Sequence, residues 1–191
     1  MVGSAVGAGL YRLAGDGKPD QRATVPAAAA AVSRHVPAGA KRTNVVDDRA
    51  VEKDGLQFRL VYDVAGRSIP LMVEIHTHDA QQAKYWQDCD SQEAPAAECG
   101  MQALGGGGKL MTMRDPETRQ GVAIAWRRDA VVIASIDLTA EEVIGPEVLS
   151  AIATDRMVGL TTSAKMLERG KKIELTSMDE YLANLPARGQ R

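Results

Sequence analysis

The sequence predicts an α+β domain in which helices pack on one face of an antiparallel sheet. Short runs of alternating apolar and polar residues predict half-buried strands, and turn sequences between them predict hairpins. Capped helical patterns stand before and after this strand region. With 191 residues, 45% of them hydrophobic, the chain is long enough to bury one core.

One domain is expected between residues 23 and 186, followed by a flexible tail over 187–191. Residues 1–22 are small and apolar up to Leu13 and then abruptly polar. They are too short to span a bilayer and lack the basic start of a signal peptide. We expect a flexible segment here, or the remnant of a membrane or signal segment.

The first element is a predicted helix over residues 25–36. Thr24 can cap its first turn, Pro26 is tolerated there, and a run of alanines follows before Pro37 ends the helix. Residues 37–55 are interpreted as a connector.

Five strands are predicted next, over residues 56–64, 69–78, 109–114, 121–126 and 131–138. The first two form a hairpin with one wet face, and the last is the most apolar. Because short turns join most of them, we predict a five-stranded antiparallel meander.

Helices are expected in the remainder of the chain, over residues 146–157, 163–169 and 177–186. Capping boxes at Thr139 with Glu142 and at Ser177 with Glu180 mark helix starts. Together with the N-terminal helix, these helices are predicted to cover one face of the sheet.

Cys89 and Cys99 are the only cysteines, and three interpretations of them compete. Zinc would need four ligands, and two unrelated thiols would sit exposed in a polar loop. A disulfide would remove unfolded-chain entropy and pin that loop. The disulfide is favoured, and with it an oxidising, extracytoplasmic location.

A second group of interest is Glu74, His76 and His78, which alternate along the predicted second strand and so share one face. Such a face could hold a zinc ion, although a solvated strand face explains the same pattern. Zinc binding is therefore kept only as an alternative.

The same face is the predicted partner surface, formed by Met72, Glu74, His76 and His78 with Arg59 of the preceding strand. A face that mixes methionine, histidine, glutamate and arginine suits neither a core nor an ordinary charged surface. Its histidines would make the contact sensitive to pH.

Composition and motifs exclude several function classes. A net charge of −2 and an aromatic content of 4% do not suit a nucleic-acid-binding protein. The glycine run before Lys109 does not match a phosphate-binding loop, because Leu110 stands where serine or threonine is needed. No nucleophile, base and oxyanion donor come together, so neither an enzyme nor a bound cofactor is predicted.

Five stretches follow one another along the chain: "HVPAGA", "FRLVYDVAGRSIPLMVEI", a loop with two cysteines, "QGVAIAWRRDAVVIASI" and "LSAIATDRMVGLTTSA". Together they resemble the extracytoplasmic domain of small actinobacterial membrane-anchored proteins or lipoproteins. The resemblance spans about residues 25–165. It implies a non-enzymatic extracytoplasmic domain of the cell envelope.

The leading hypothesis is a membrane-tethered binding or sensory module that contacts an envelope protein or another envelope component. The tether would lie upstream of Met1. A metal-binding protein using Glu74, His76 and His78 is the first alternative, and a purely structural envelope protein is the second.

Overall fold

The computed structural model of the chain describes residues 17–48, 55–78, 89 and 98–184. It is an α+β structure with a large mixed sheet, a two-stranded sheet and four α-helices among these residues. The strands are β1 (Gln21–Arg22), β2 (Lys41–Asp47), β3 (Leu56–Val64), β4 (Arg67–His76), β5 (Glu98–Ala103), β6 (Lys109–Asp115), β7 (Gln120–Trp126), β8 (Val131–Asp137), β9 (Thr161–Thr162) and β10 (Thr176–Ser177). The helices are α1 (Val25–Val32), α2 (Pro146–Thr154), α3 (Ala164–Gly170) and α4 (Met178–Ala183).

The large sheet has eight strands in the order β10-β2-β3-β4-β8-β7-β6-β5. Neighbouring strands are antiparallel except β10 and β2, which run parallel. Two antiparallel units, β2-β3-β4 and β5-β6-β7-β8, therefore meet where β4 pairs with β8. The two-stranded sheet joins β1 to β9.

The predicted five-stranded antiparallel meander is wrong. Two further long strands, β2 and β5, flank the predicted ones, and β4 pairs with β8 instead of with the next strand along the chain. β2 and β5 lie near the edges of the sheet and carry few apolar residues, so they lack the alternating pattern that indicates a half-buried strand. The long apolar run of β8 reflects burial on both faces in the middle of the sheet.

Helices α1 and α2 pack against one face of the sheet and form the main core with it. Thr24 caps α1 as predicted, accepting a hydrogen bond from Ala27 N at 3.4 Å. The alanines of α1 let α3 approach closely, and a Cβ on Gly170 would lie 2.7 Å from Ala27 N. We call the side of the sheet that carries α1 and α2 the helix face, and the opposite side the second face.

The second face is apolar over β6, β7 and β8. Met111, Ile124 and Val131 are fully buried there, and Met113, Val122 and Ile133 nearly so. Cys89 and Cys99 pack against this cluster together with Trp126. The sheet is thus buried on both faces in this half.

A charged junction ties the end of α1 to the end of α2. The Asp155 carboxylate accepts hydrogen bonds from Arg34 Nη2 at 2.6 Å and from His35 Nε2 at 2.7 Å. Its other oxygen accepts from the backbone N of Met157 at 2.8 Å. Burial alone would raise the pKa of Asp155, but the bonds from His35, Met157 and Arg34 outweigh burial and lower the pKa to about 2.

We predict that Asp155→Asn lowers the free energy of unfolding at pH 7 by about 2–3 kcal/mol. The reason is that the pKa of Asp155 in the folded protein lies below the ordinary aspartate value of about 3.9. This stabilisation is complete above about pH 4 and is lost as the pH falls through the folded pKa. The difference between variant and parent should therefore shrink below about pH 4 in urea titrations.

Asp129→Asn is the matched control. Asp129 also contacts an arginine, Arg127, at 3.3 Å, but its side chain is 48% exposed. Its replacement should cost less than about 1 kcal/mol. Equal effects of the two substitutions would contradict the structural role of the Asp155 junction.

Candidate functional site

The structure places the predicted partner surface on β3 and β4 but buries part of it. His76 is 1% exposed, and its Nε2 lies 3.0 Å from Glu74 Oε2. Met72 is half-buried next to Gln57, whose Nε2 points at its sulfur at 3.9 Å. The Arg59 guanidinium lies over the Tyr181 ring of α4 at 5.7 Å. His76 therefore packs inside the protein and does not present its ring to solvent.

The three predicted metal ligands are not gathered into a binding group. His76 contacts Glu74, whereas His78 is exposed beyond the end of β4. The described residues contain no group of three or more histidines, cysteines, aspartates or glutamates placed to hold a metal ion. The pair is better explained as a buried histidine that is hydrogen-bonded to its carboxylate neighbour.

A cleft of about 470 Å³ opens on the helix face of the sheet, between the strands β5, β6 and β7 and the start of α2. Its walls include Ile136 of β8 and Pro146 and Leu149 of α2. A cleft of this size with mostly apolar walls and a few polar groups is the usual form of a ligand site in proteins. It is the candidate functional site of the chain.

Small residues create the space in this cleft. Gly121 lies beneath α2, where a Cβ would meet Leu138 at 3.4 Å and Ile136 at 3.6 Å. Gly100 lies on β5, where a Cβ would meet only Thr112 Oγ1 at 3.4 Å. Any larger side chain at Gly100 or Gly121 would occupy the volume that the cleft leaves open.

The polar groups of the cleft are Glu98, Arg114 and Glu141. Arg114 Nε donates to Glu141 Oε2 at 3.0 Å, and Glu98 lies opposite Arg114 across the β5–β6 pair. The hydrogen bond and charge of Glu141, with a further contribution from Glu98, raise the pKa of Arg114. Among the described residues of the cleft, two carboxylates thus accompany one cation, which gives this part of the lining a net negative charge.

The disulfide between Cys89 and Cys99 anchors one wall of the cleft. Their Cα atoms are 5.8 Å apart, and Cys99 belongs to β5. Both cysteines pack against the apolar cluster of the second face, and the bond links Cys99 of β5 to Cys89 beside that cluster. The predicted disulfide is confirmed, and it borders the candidate site.

Sequence reasoning missed the cleft because its residues carry no motif. The signal that could have found it is the pair of strand glycines, since an isolated glycine inside a strand marks a close backbone approach or a space. Gly121 opens the predicted strand "GVAIAW", but Gly100 stood in a region interpreted as loop.

Comparisons with known proteins give no relative: no family model, curated protein or solved structure matches this chain. No helix in the described ranges is both long enough and apolar enough to cross a membrane. Inference about function therefore depends on the cleft and the disulfide.

We predict that reducing the disulfide lowers the free energy of unfolding by about 2–3 kcal/mol, the loop-closure value for a sequence separation of 10. Hydrogen exchange of the reduced protein should show the loss of protection concentrated in β5. The double variant Cys89→Ser, Cys99→Ser serves as the control, because a reductant should leave it unchanged. Unaltered protection of β5 after reduction would show that the bond does not anchor this strand.

Proposed function

We propose that this protein is a non-enzymatic binding module of the cell envelope, located outside the cytoplasm and tethered to a membrane, with the cleft beside β5 as its binding site. The observation that carries the proposal is the combination of a disulfide and a cleft on one strand. The Cys99 disulfide anchors the strand whose Glu98 and Gly100 line the cleft.

The disulfide supports the proposed location. Disulfides persist in oxidising compartments and are rare in the cytosol of ordinary bacteria. Cys89 and Cys99 are the only cysteines, so a reduced form would have no other pairing to adopt. The tether is the part of the proposal that depends on sequence upstream of Met1.

The chemistry of the cleft supports binding over catalysis. Among the described residues that line it, the one cation is Arg114, which is already paired with Glu141, and Glu98 and Thr112 add further polar side chains. Paired charges at a rim orient a ligand and select its charge, while the apolar walls supply affinity.

Thiol trapping in intact cells that produce the full-length protein tests the proposed location. Cells are quenched in acid, denatured, and treated with a maleimide polymer that slows migration of free thiols on gels. We expect no shift until a reductant is added, and we expect the protein in the membrane fraction. A cytoplasmic protein whose two thiols react without a reductant would overturn the proposal.

A further inference from the structure

We propose that the cleft and the open edge of β5 bind an extended peptide segment of a partner protein, which adds to the sheet as a ninth strand and carries basic residues. The inference rests on the proposed function and names the partner class of the same site. The partner would contribute main-chain hydrogen bonds to β5 and one side chain to the cleft.

The free edge of β5 provides the main-chain groups. In the described part of the chain, β5 pairs with β6 on one side and with no strand on the other. The backbone N of Leu104 donates to Gly108 O at 2.8 Å, directly after the pair of Ala103 with Lys109. Because bonding alternates along an antiparallel pair, Gly100 and Gln102 point their N–H and C=O groups at β6. Cys99, Met101 and Ala103 therefore point theirs outward.

The two edges of the large sheet differ in how far their backbone groups are protected from further strand pairing. The opposite edge is capped by the two-residue strand β10, which leads directly into α4. Among the described residues β5 shows none of the usual protection, since its sequence ECGMQA contains no lysine or proline and its register with β6 is continuous. Glu98, Gly100, Met101, Gln102 and Ala103 are all exposed. An unprotected edge of six residues is a template for strand addition.

Gly100 connects this edge to the cleft. Residues on the helix face alternate along β5, so Gly100 is flanked there by Glu98 and Gln102. With no side chain at Gly100, a residue of an added strand can reach across β5 toward Thr112. An aliphatic residue suits this position, because the space over Gly100 opens into a cleft with mostly apolar walls.

Charge complementarity selects the basic character of the partner. Glu98 and Glu141 outnumber Arg114 in the cleft, and Glu98 is exposed at the start of β5. Lysine or arginine residues that flank the aliphatic residue would meet these carboxylates, whereas acidic residues would be repelled.

Nuclear magnetic resonance titration of the purified oxidised protein tests the inference with two synthetic peptides. The probe is acetyl-Thr-Lys-Thr-Val-Thr-Lys-Thr-amide, in which both lysines share the face of the central valine, and the charge control has glutamate in place of both lysines. We expect the lysine peptide to shift the amide signals of β5 and the cleft, and to bind at least about fivefold more tightly than the glutamate peptide.

Variants at Met101 test the backbone contact. Met101→Pro removes an outward N–H without breaking the bonds to β6 and should weaken binding at least about tenfold. Met101→Val changes the side chain but keeps the N–H, and should bind within about twofold of the parent. If Met101→Pro disturbs the amide signals of β4 and β8, Ala103→Pro replaces it, since Ala103 also points outward.

Each of three results would overturn the inference. They are the absence of shifts up to about 1 mM peptide, equal affinity for both peptides, and equal affinity of Met101→Pro and parent. Concentration-dependent dimerisation that Met101→Pro abolishes would also overturn it, because a second copy of the chain would then occupy the edge. None of these results bears on the thiol-trapping experiment, so the proposed location and the proposed partner can fail separately.

Discussion

Six residue pairs between β4 and β8, from Leu71 opposite Ile136 to His76 opposite Val131, join the two halves of the large sheet. Without this pairing, β2-β3-β4 and β5-β6-β7-β8 would be separate antiparallel units, each with an apolar face in water. The pairing brings Val73 beside Ala134 beneath the helices and so makes one core from both halves. It also fixes where each half ends, with β10 at one edge and β5 at the other.

The strands with many buried side chains could be predicted from the sequence, and the more exposed strands β2 and β5 could not. β3 and β7 lie close to the predicted strands over 56–64 and 121–126, because burial on one or both faces imposes an apolar pattern. β2 and β5 are held by backbone pairing and have few buried side chains, so they need no such pattern. The order of the strands could not be predicted either. A simple meander and two antiparallel units joined through β4 and β8 have the same short turns along the chain.

The candidate site also combines features that a short stretch of sequence predicts with features that only the pairing of distant strands creates. The disulfide followed from two cysteines in a polar loop, because no other partner existed for either. Within the predicted histidine face, His76 is buried and lies opposite Val131 of the neighbouring strand β8, whereas His78 is exposed. The cleft depends on Gly100 and Gly121, which come together only through the pairing of β5, β6 and β7. No local pattern carries that information.

The central claim is that, among the residues the structure describes, β5 is an open edge of a single sheet with the β4–β8 pair in its interior. Residue-resolved hydrogen exchange of the oxidised protein without any partner tests it most directly. The account predicts slow exchange throughout the paired residues of β4 and β8. In β5 it predicts alternation, with Gly100 and Gln102 protected and Met101 and Ala103 exchanging at nearly the rate of an unfolded peptide. Protection of Met101 and Ala103 equal to that of Gly100 and Gln102 would show that the edge is already occupied and would contradict the account.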